Sequence, residues 1–110
     1  MGNGARPHPE QEMSRRLIIR PEAENEMADA YDRYEGLVPG LGADFLLCVE
    51  AVFHAAVRGP QHYPRVHGSA RRALARRFPY EVFFVEDDER VVILSVFHAR
   101  RNPRQWQERI

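Results

Sequence analysis

Two apolar runs in the last third of the chain, residues 80–85 and 91–97, constrain the fold most strongly. Both are rich in β-branched and aromatic residues, and the acidic turn at residues 86–89 joins them, so they predict a β-hairpin. Both runs are apolar on their two faces, which is typical of central strands covered on both sides. The sequence therefore predicts a sheet with this hairpin at its centre.

The segments before the hairpin add strands and helices. Residues 16–20 contain three consecutive aliphatic residues and end at Pro21, which indicates a short strand. Apolar residues recur at helical spacing over 21–36 and 43–58, with Pro39 and glycines between them, so an αα-hairpin is expected. Residues 59–68 are predicted to be a loop, and residues 71–78 alternate arginine with alanine like a half-buried strand. The predicted order is β-α-α-β-β-β, an α+β fold with a mainly antiparallel, twisted sheet and both helices on one face.

Length and composition limit the classes of protein to consider. At 110 residues the chain is expected to form one domain over residues 14–110, after a polar, disordered tail at 1–13. The single Cys48 excludes an intrachain disulfide. Residues 1–12 have no apolar signal region, and no apolar run reaches the roughly 20 residues that cross a bilayer. We therefore expect a cytoplasmic protein with no membrane partner.

Charge is unevenly distributed although it sums to zero. Every basic side chain is arginine. Residues 1–55 contain five arginines and ten acidic residues, whereas residues 56–110 contain eleven arginines and six acidic residues. From Arg58 to Arg77 there are six arginines and no acidic residue. Such a segment favours an acidic or polyanionic partner.

The order and spacing of these segments resemble the RelE/ParE superfamily of toxins from bacterial type II toxin–antitoxin modules. The matching features are the first strand running into Pro21-Glu22-Ala23, the αα-hairpin, Arg77-Phe78-Pro79-Tyr80 before the β-hairpin, and Val96-Phe97-His98-Ala99-Arg100-Arg101-Asn102-Pro103 after it. The likeness covers residues 16–106 and is closest to the ParE-like, plasmid stabilisation members.

The resemblance implies a RelE/ParE-like fold and one of two activities. Ribonuclease members cut messenger RNA in the ribosome, whereas ParE-like members poison DNA gyrase and cut nothing. Both kinds are silenced by an antitoxin that wraps the sheet and helices. Nuclease members often have arginine after the hairpin tyrosine, but here the residue is Glu81, and a carboxylate there would repel the scissile phosphate.

Glu81 therefore favours a toxin that binds its target, DNA gyrase, and that forms a hetero-oligomer with a cognate antitoxin. Two alternatives stay open. One is a ribosome-dependent endoribonuclease (mRNA interferase), and the other is a degenerate member that binds antitoxin without being toxic.

Candidate site residues fall into three groups. Metal-free RNA cleavage needs a base, an acid and cations around the phosphorane, and for a nuclease the chain offers His98, Arg76 and Arg100. Target or nucleic-acid binding is predicted for Arg72, Arg76, Arg100, Arg101, Arg104 and Trp106. Antitoxin binding is predicted for Tyr31, Tyr34, Arg65 and Arg71.

Each group has a structural alternative. His98 fits equally a strand-end histidine bonded to the backbone, and the arginines after it fit a solvated charge run. Trp106 fits a side chain that docks the C-terminal segment on the core. Arg72 and Arg76 fit an edge strand that charge protects from pairing.

Metal and cofactor sites are not expected. The candidate ligands His54, His62, His67 and Cys48 have no recognised metal-ligand spacing. The chain also has no phosphate-binding glycine loop.

Overall fold

The computed structural model describes residues 15–108. The elements in chain order are β1 (Arg16–Ile19), α1 (Pro21–Leu37), α2 (Leu41–Arg58), a 3-10 turn (Pro60–His62), β2 (Arg65–His67), β3 (Ala70–Ala75), β4 (Tyr80–Glu86), β5 (Arg90–His98) and α3 (Arg104–Gln107). The predicted tail, residues 1–13, lies outside the described residues.

The strands form one mixed sheet in the order β1-β5-β4-β3-β2. β1 runs parallel to β5, with Leu17 opposite Val91, and the other neighbouring pairs are antiparallel. The β4–β5 hairpin lies in the middle of the sheet, and a core cluster covers each of its faces, which explains why both faces are apolar. The predicted α+β fold with a mainly antiparallel sheet is confirmed.

α1 forms where the sequence predicts it. Pro21 stands at the first turn, where its fixed φ and missing N–H suit a helix, and Glu22 and Glu24 lie near the positive end of the helix dipole. Ala23 and Ala30 are the buried positions of this helix. Because both are small, α1 approaches the sheet closely.

The turn between the helices is held by a side chain of α1. Gly40 adopts a positive φ of 89°, a conformation that glycine reaches without strain. The carboxylate of Glu35 accepts hydrogen bonds from the N–H groups of Gly40, at 2.8 Å, and Gly42, at 2.9 Å. These N–H groups lie at a helix start, where intrahelical acceptors are missing. α2 consequently begins at Leu41, two residues before the predicted start.

Both helices pack on one face of the sheet. Phe45, Val49 and Phe53 form the inner stripe of α2 and are fully buried. They contact the same core cluster as Val82 of β4 and Ile93 of β5. Burying one side chain of this size contributes about 1.5–3 kcal/mol, and this cluster has more buried residues than the cluster on the other face.

The other face of the sheet carries a smaller cluster. Phe83, Leu94 and Phe97 lie there with Trp106 of α3. The Trp106 ring stacks on Phe83 at 3.7 Å between centroids and is 2% exposed. A four-residue helix is thus held in place mainly by one aromatic side chain.

Two further boundaries differ from the prediction. The predicted loop at 59–68 contains β2, whose exposed side chains give no apolar pattern. The strand predicted over 71–78 is β3 and ends at Ala75, because the N–H of Phe78 donates to the Ala75 carbonyl at 3.1 Å and closes a turn. This turn places the Phe78 ring 5.4 Å from Phe45. Arg76 therefore lies in the turn and does not share a strand face with Arg72.

Candidate functional site

An apolar groove runs between α2 and the free edge of β3. β2 pairs only with the first residues of β3, with Arg65 opposite Arg71, so the described residues place no strand beside Ala73–Ala75 on that side. The groove has a volume of about 630 Å³. Its α2 wall consists of the small or short side chains Cys48, Ala51, Val52 and Ala55, and its β3 wall includes Leu74, which is 51% exposed.

The charged side chains that line this groove belong to three arginines, Arg72, Arg76 and Arg77. We call it the basic groove. The Arg72 guanidinium lies 3.7 Å from the Glu81 carboxylate, and Arg77 lies 3.1 Å from Asp44. Arg76 is exposed and makes no ion pair within residues 15–108. A free cation beside an open strand edge and an apolar wall is an arrangement that accepts an extended or helical segment with acidic side chains.

The residues predicted to bind antitoxin occupy different environments. Arg65 is exposed on β2. Arg71 is half-buried, donates to the Glu86 carboxylate at 3.0 Å and donates to the Tyr63 carbonyl at 2.6 Å. It therefore ties the loop before β2 to the central sheet. Of these two arginines, Arg65 is the one whose charge faces solvent.

The two tyrosines of α1 also lie in different environments. Tyr34 packs into the core, with its ring centroid 5.4 Å from Phe45 and 5.0 Å from Phe78. Burial raises the pKa of the Tyr34 hydroxyl, so the group is neutral at physiological pH. Tyr31 lines a second groove on the other side of α2. The four predicted antitoxin residues thus do not form one surface.

A C-terminal segment with three exposed arginines, Arg100, Arg101 and Arg104, follows β5. The Arg101 guanidinium lies 5.7 Å from the centroid of the Phe97 ring, a favourable contact between a cation and an aromatic face. The Arg104 N–H donates to the Asn102 side chain at 3.0 Å. This turn presents the arginines to solvent. We call residues 98–104 the arginine turn.

His98 begins the arginine turn and is held by the backbone. Its Nδ1 accepts a hydrogen bond from the Arg100 N–H at 3.1 Å, and its ring meets Tyr80 edge-on at 5.2 Å. In the neutral imidazole the proton is therefore on Nε2. His98 lines a polar pocket of about 530 Å³ that also includes Glu26, Arg33 and Arg101.

The residues proposed for a nuclease are not gathered in one cavity. Arg76 lines the basic groove, whereas His98 lines the polar pocket on the α1 side of the sheet. Arg100 contributes its backbone N–H to His98. At the position where a phosphate-binding cation would stand, the structure has the Glu81 carboxylate beside Arg72. Trp106 is buried against Phe83 and would contact a target only if α3 moved.

Sequence reasoning missed the α2 wall of the basic groove. Its members recur at helical spacing on the side of α2 next to the buried stripe. The available signal was small residues where an amphipathic helix normally has polar ones. Among the described residues no group of histidine, cysteine and acidic side chains could hold a metal ion. No helix in residues 15–108 is long and apolar enough to cross a membrane.

Comparisons with known proteins give a family match and a fold match. The family model described as the ParE toxin of type II toxin–antitoxin system, parDE, matches residues 17–103. A chain from a solved structure of the chromosomal ParDE TA system of P. aeruginosa superposes with a TM-score of 0.71 at 16% identity, covering 81% of this chain and 99% of that chain. No curated protein sequence matches significantly.

Proposed function

Because this chain belongs to the ParE toxin family of type II toxin–antitoxin systems, we propose that it is a toxin that binds DNA gyrase and that a cognate antitoxin neutralises it. Glu81 is the observation that supports binding over RNA cleavage. Its carboxylate lies beside Arg72, where cleavage would need an uncompensated cation. His98 and Arg76 line different cavities, which also supports target binding over RNA cleavage.

Antitoxin binding is assigned to the basic groove. The apolar walls suit the aliphatic anchors of a partner segment, and the open edge of β3 offers backbone hydrogen bonds to an added strand. Arg72, Arg76 and Arg77 would face acidic residues of that segment. Exposed charges of this kind mainly accelerate association and depend on salt.

The antitoxin assignment is tested by measuring association rates with the product of the neighbouring reading frame. The double variant Arg72→Gln/Arg76→Gln should associate on the order of tenfold more slowly at low salt. The difference should shrink as salt screens the remaining charges. Arg16→Gln/Arg20→Gln is the matched control, because it also removes two exposed arginines, at the two ends of β1 and away from the groove. A wild-type rate that is equal at low and high salt would remove the electrostatic part of this proposal.

Target binding is assigned to the arginine turn. Arg100 and Arg101 are exposed beside a well-packed strand end, so they form an accessible cationic surface. Charge reversal at both positions should weaken inhibition of gyrase supercoiling by an amount that depends on salt. The same variant should leave antitoxin binding nearly unchanged, because neither arginine lines the basic groove.

His98→Ala separates the binding toxin from the nuclease. A binding toxin should keep its toxicity, since proton transfer has no role in it. A nuclease that uses His98 should lose about 10²- to 10⁴-fold in cleavage rate. Toxicity, messenger RNA ends and gyrase supercoiling are followed in parallel, after circular dichroism confirms folding. Codon-positioned cleavage that disappears with His98→Ala would refute the binding mechanism.

A further inference from the structure

The second half of β5 has a neighbouring strand on one side only. β1 pairs with residues 90–93 of β5, whereas β4 pairs with β5 as far as His98. In an antiparallel pair, residues that bond across the pair alternate with residues whose N–H points away from it. The Ala99 N–H donates to the Pro79 carbonyl at 2.9 Å. The N–H groups of Val96 and His98 therefore point away from β4, to the side where residues 15–108 provide no strand.

Side chains of α1 lie along this open side of β5. The Glu26 carboxylate accepts hydrogen bonds from the Val96 N–H at 3.1 Å and from the Ser95 hydroxyl at 2.9 Å. Both donor residues are buried. About two turns further along the helix, Arg33 donates to the Tyr80 hydroxyl. α1 thus binds β5 through Glu26 and the start of β4 through Arg33.

These contacts continue into the arginine turn. Tyr80 lies opposite His98 in the sheet, and their rings meet edge-on at 5.2 Å. His98 in turn accepts two hydrogen bonds from the residues that follow it. Its Nδ1 accepts from the Arg100 N–H at 3.1 Å, and its carbonyl accepts from the Arg101 N–H at 3.0 Å. A series of contacts therefore joins α1 to the exposed arginines of the turn.

We propose that Glu26 is a positioning residue for target binding by the arginine turn. The inference rests on the proposed assignment of target binding to that turn. The Glu26 carboxylate takes the place of a neighbouring strand at Val96, two residues before the turn begins. Without this acceptor two buried donors lose their partner, which is costly, and the end of β5 is expected to exchange between arrangements. The target would then have to order the arginines as it binds, and such ordering lowers affinity.

The role of Glu26 is to accept hydrogen bonds, and its charge is not required for it. The side-chain carbonyl of glutamine can accept the same two bonds, whereas the thioether of methionine is only a weak acceptor. Asp29 also lines the polar pocket and has the same charge, and it is exposed. Three variants follow from this comparison. Glu26→Met removes the acceptor, Glu26→Gln keeps it without the charge, and Asp29→Asn is the control for loss of a charge in the same pocket.

The test uses the full chain and measures the turn, the target and the antitoxin separately. NMR relaxation dispersion of the amides of Val96 and Arg101 should show exchange in Glu26→Met and none in the other proteins. Inhibition of gyrase supercoiling should weaken on the order of tenfold in Glu26→Met, and by less than about twofold in Glu26→Gln and Asp29→Asn. Affinity for the product of the neighbouring reading frame should be unchanged in all three variants, because neither residue lines the basic groove.

Circular dichroism checks that each variant is folded. Glu26→Asp replaces Glu26→Met if the methionine variant does not fold, because its carboxylate is one methylene shorter and cannot keep both hydrogen bonds. Inhibition in Glu26→Asp should then fall in the same direction as for methionine, with antitoxin affinity unchanged.

Four results would contradict parts of the proposal in different ways. Equal losses of inhibition in Glu26→Gln and Glu26→Met would show that the charge matters and the acceptor does not. Unchanged amides of Val96 and Arg101 in Glu26→Met would show that the turn keeps its position without Glu26. A parallel loss of antitoxin affinity would indicate general destabilisation instead of positioning. If the wild type did not inhibit gyrase while the amides responded as expected, the proposed target would fail and the positioning of the turn by Glu26 would stand.

Discussion

Removal of the Trp106 side chain is expected to destabilise the protein strongly although α3 has only four residues. The ring is 2% exposed and stacks on Phe83 at 3.7 Å between centroids. Replacing a buried tryptophan by alanine typically costs about 3–5 kcal/mol. We expect about 3 kcal/mol, because a short terminal helix can move to fill part of the space. For a domain of this size the melting temperature should fall by roughly 15 °C.

Trp106→Phe is the matched control. The Trp106 Nε1–H is buried and donates to no acceptor among the described residues, so phenylalanine gives up no hydrogen bond within them. The smaller ring still covers Phe83, and the loss should be about 1 kcal/mol. Urea unfolding followed by circular dichroism gives the free energy of unfolding for all three proteins.

Tryptophan fluorescence adds a local measurement, since the chain has one tryptophan. In the wild type the emission should be that of a buried indole, and its urea transition should coincide with the transition seen by circular dichroism. A fluorescence transition at lower urea would mean that α3 leaves the sheet before the domain unfolds. A loss below about 1 kcal/mol in Trp106→Ala would refute the docking role altogether.

Three further predictions concern stability. Arg71→Met should cost about 3 kcal/mol in urea unfolding, because it leaves the Glu86 carboxylate half-buried without its partner, and adding Glu86→Leu should recover part of that loss. The pKa of Asp87 is lowered from 3.8, first by the Glu89 N–H and then by Arg90. The stability that the Asp87 carboxylate contributes is therefore present above the ordinary pKa and is lost as the pH falls through the lower pKa of the folded state. The loss of stability in Asp87→Asn, measured by urea unfolding, should be larger at pH 7 than at pH 2. Gly36→Ala meets open space and should stabilise by up to about 1 kcal/mol, whereas Gly42→Ala should destabilise, since its Cβ would lie 2.8 Å from a backbone oxygen of α1.

The elements that the sequence predicted are those with local signals. The β4–β5 hairpin has two apolar runs rich in β-branched and aromatic residues and a turn within twenty residues, and both helices have apolar residues at helical spacing. β2 has none of these, because its position depends on pairing with β3 and not on its own exposed side chains. The end of β3 was misplaced because Phe78 continues the strand composition but packs into the helix layer.

The site was harder to predict, since it depends on which charges are already paired. Arg71 and Arg72 are neighbours in the sequence, yet alternation in the strand sends them to opposite faces. Arg71 meets Glu86, fifteen residues away, and becomes structural. Arg76 remains exposed in the turn. No local pattern distinguishes these arginines, because the partners of Arg71 and Arg72 lie on β4 and are brought close only by strand pairing.

The parallel pairing of β1 with β5 has a consequence for how the toxin is made. Arg16 pairs with Arg90. β1 is the first strand to leave the ribosome, and it cannot pair until β5, the last strand, has been made. At ordinary translation rates the delay is about 4–15 s, and bringing such distant segments together is slow in itself. A nascent chain that stops before residue 90 has no β5 to join β1 to β4. Synthesis therefore leaves an interval in which the fold is incomplete although most of its residues have been made.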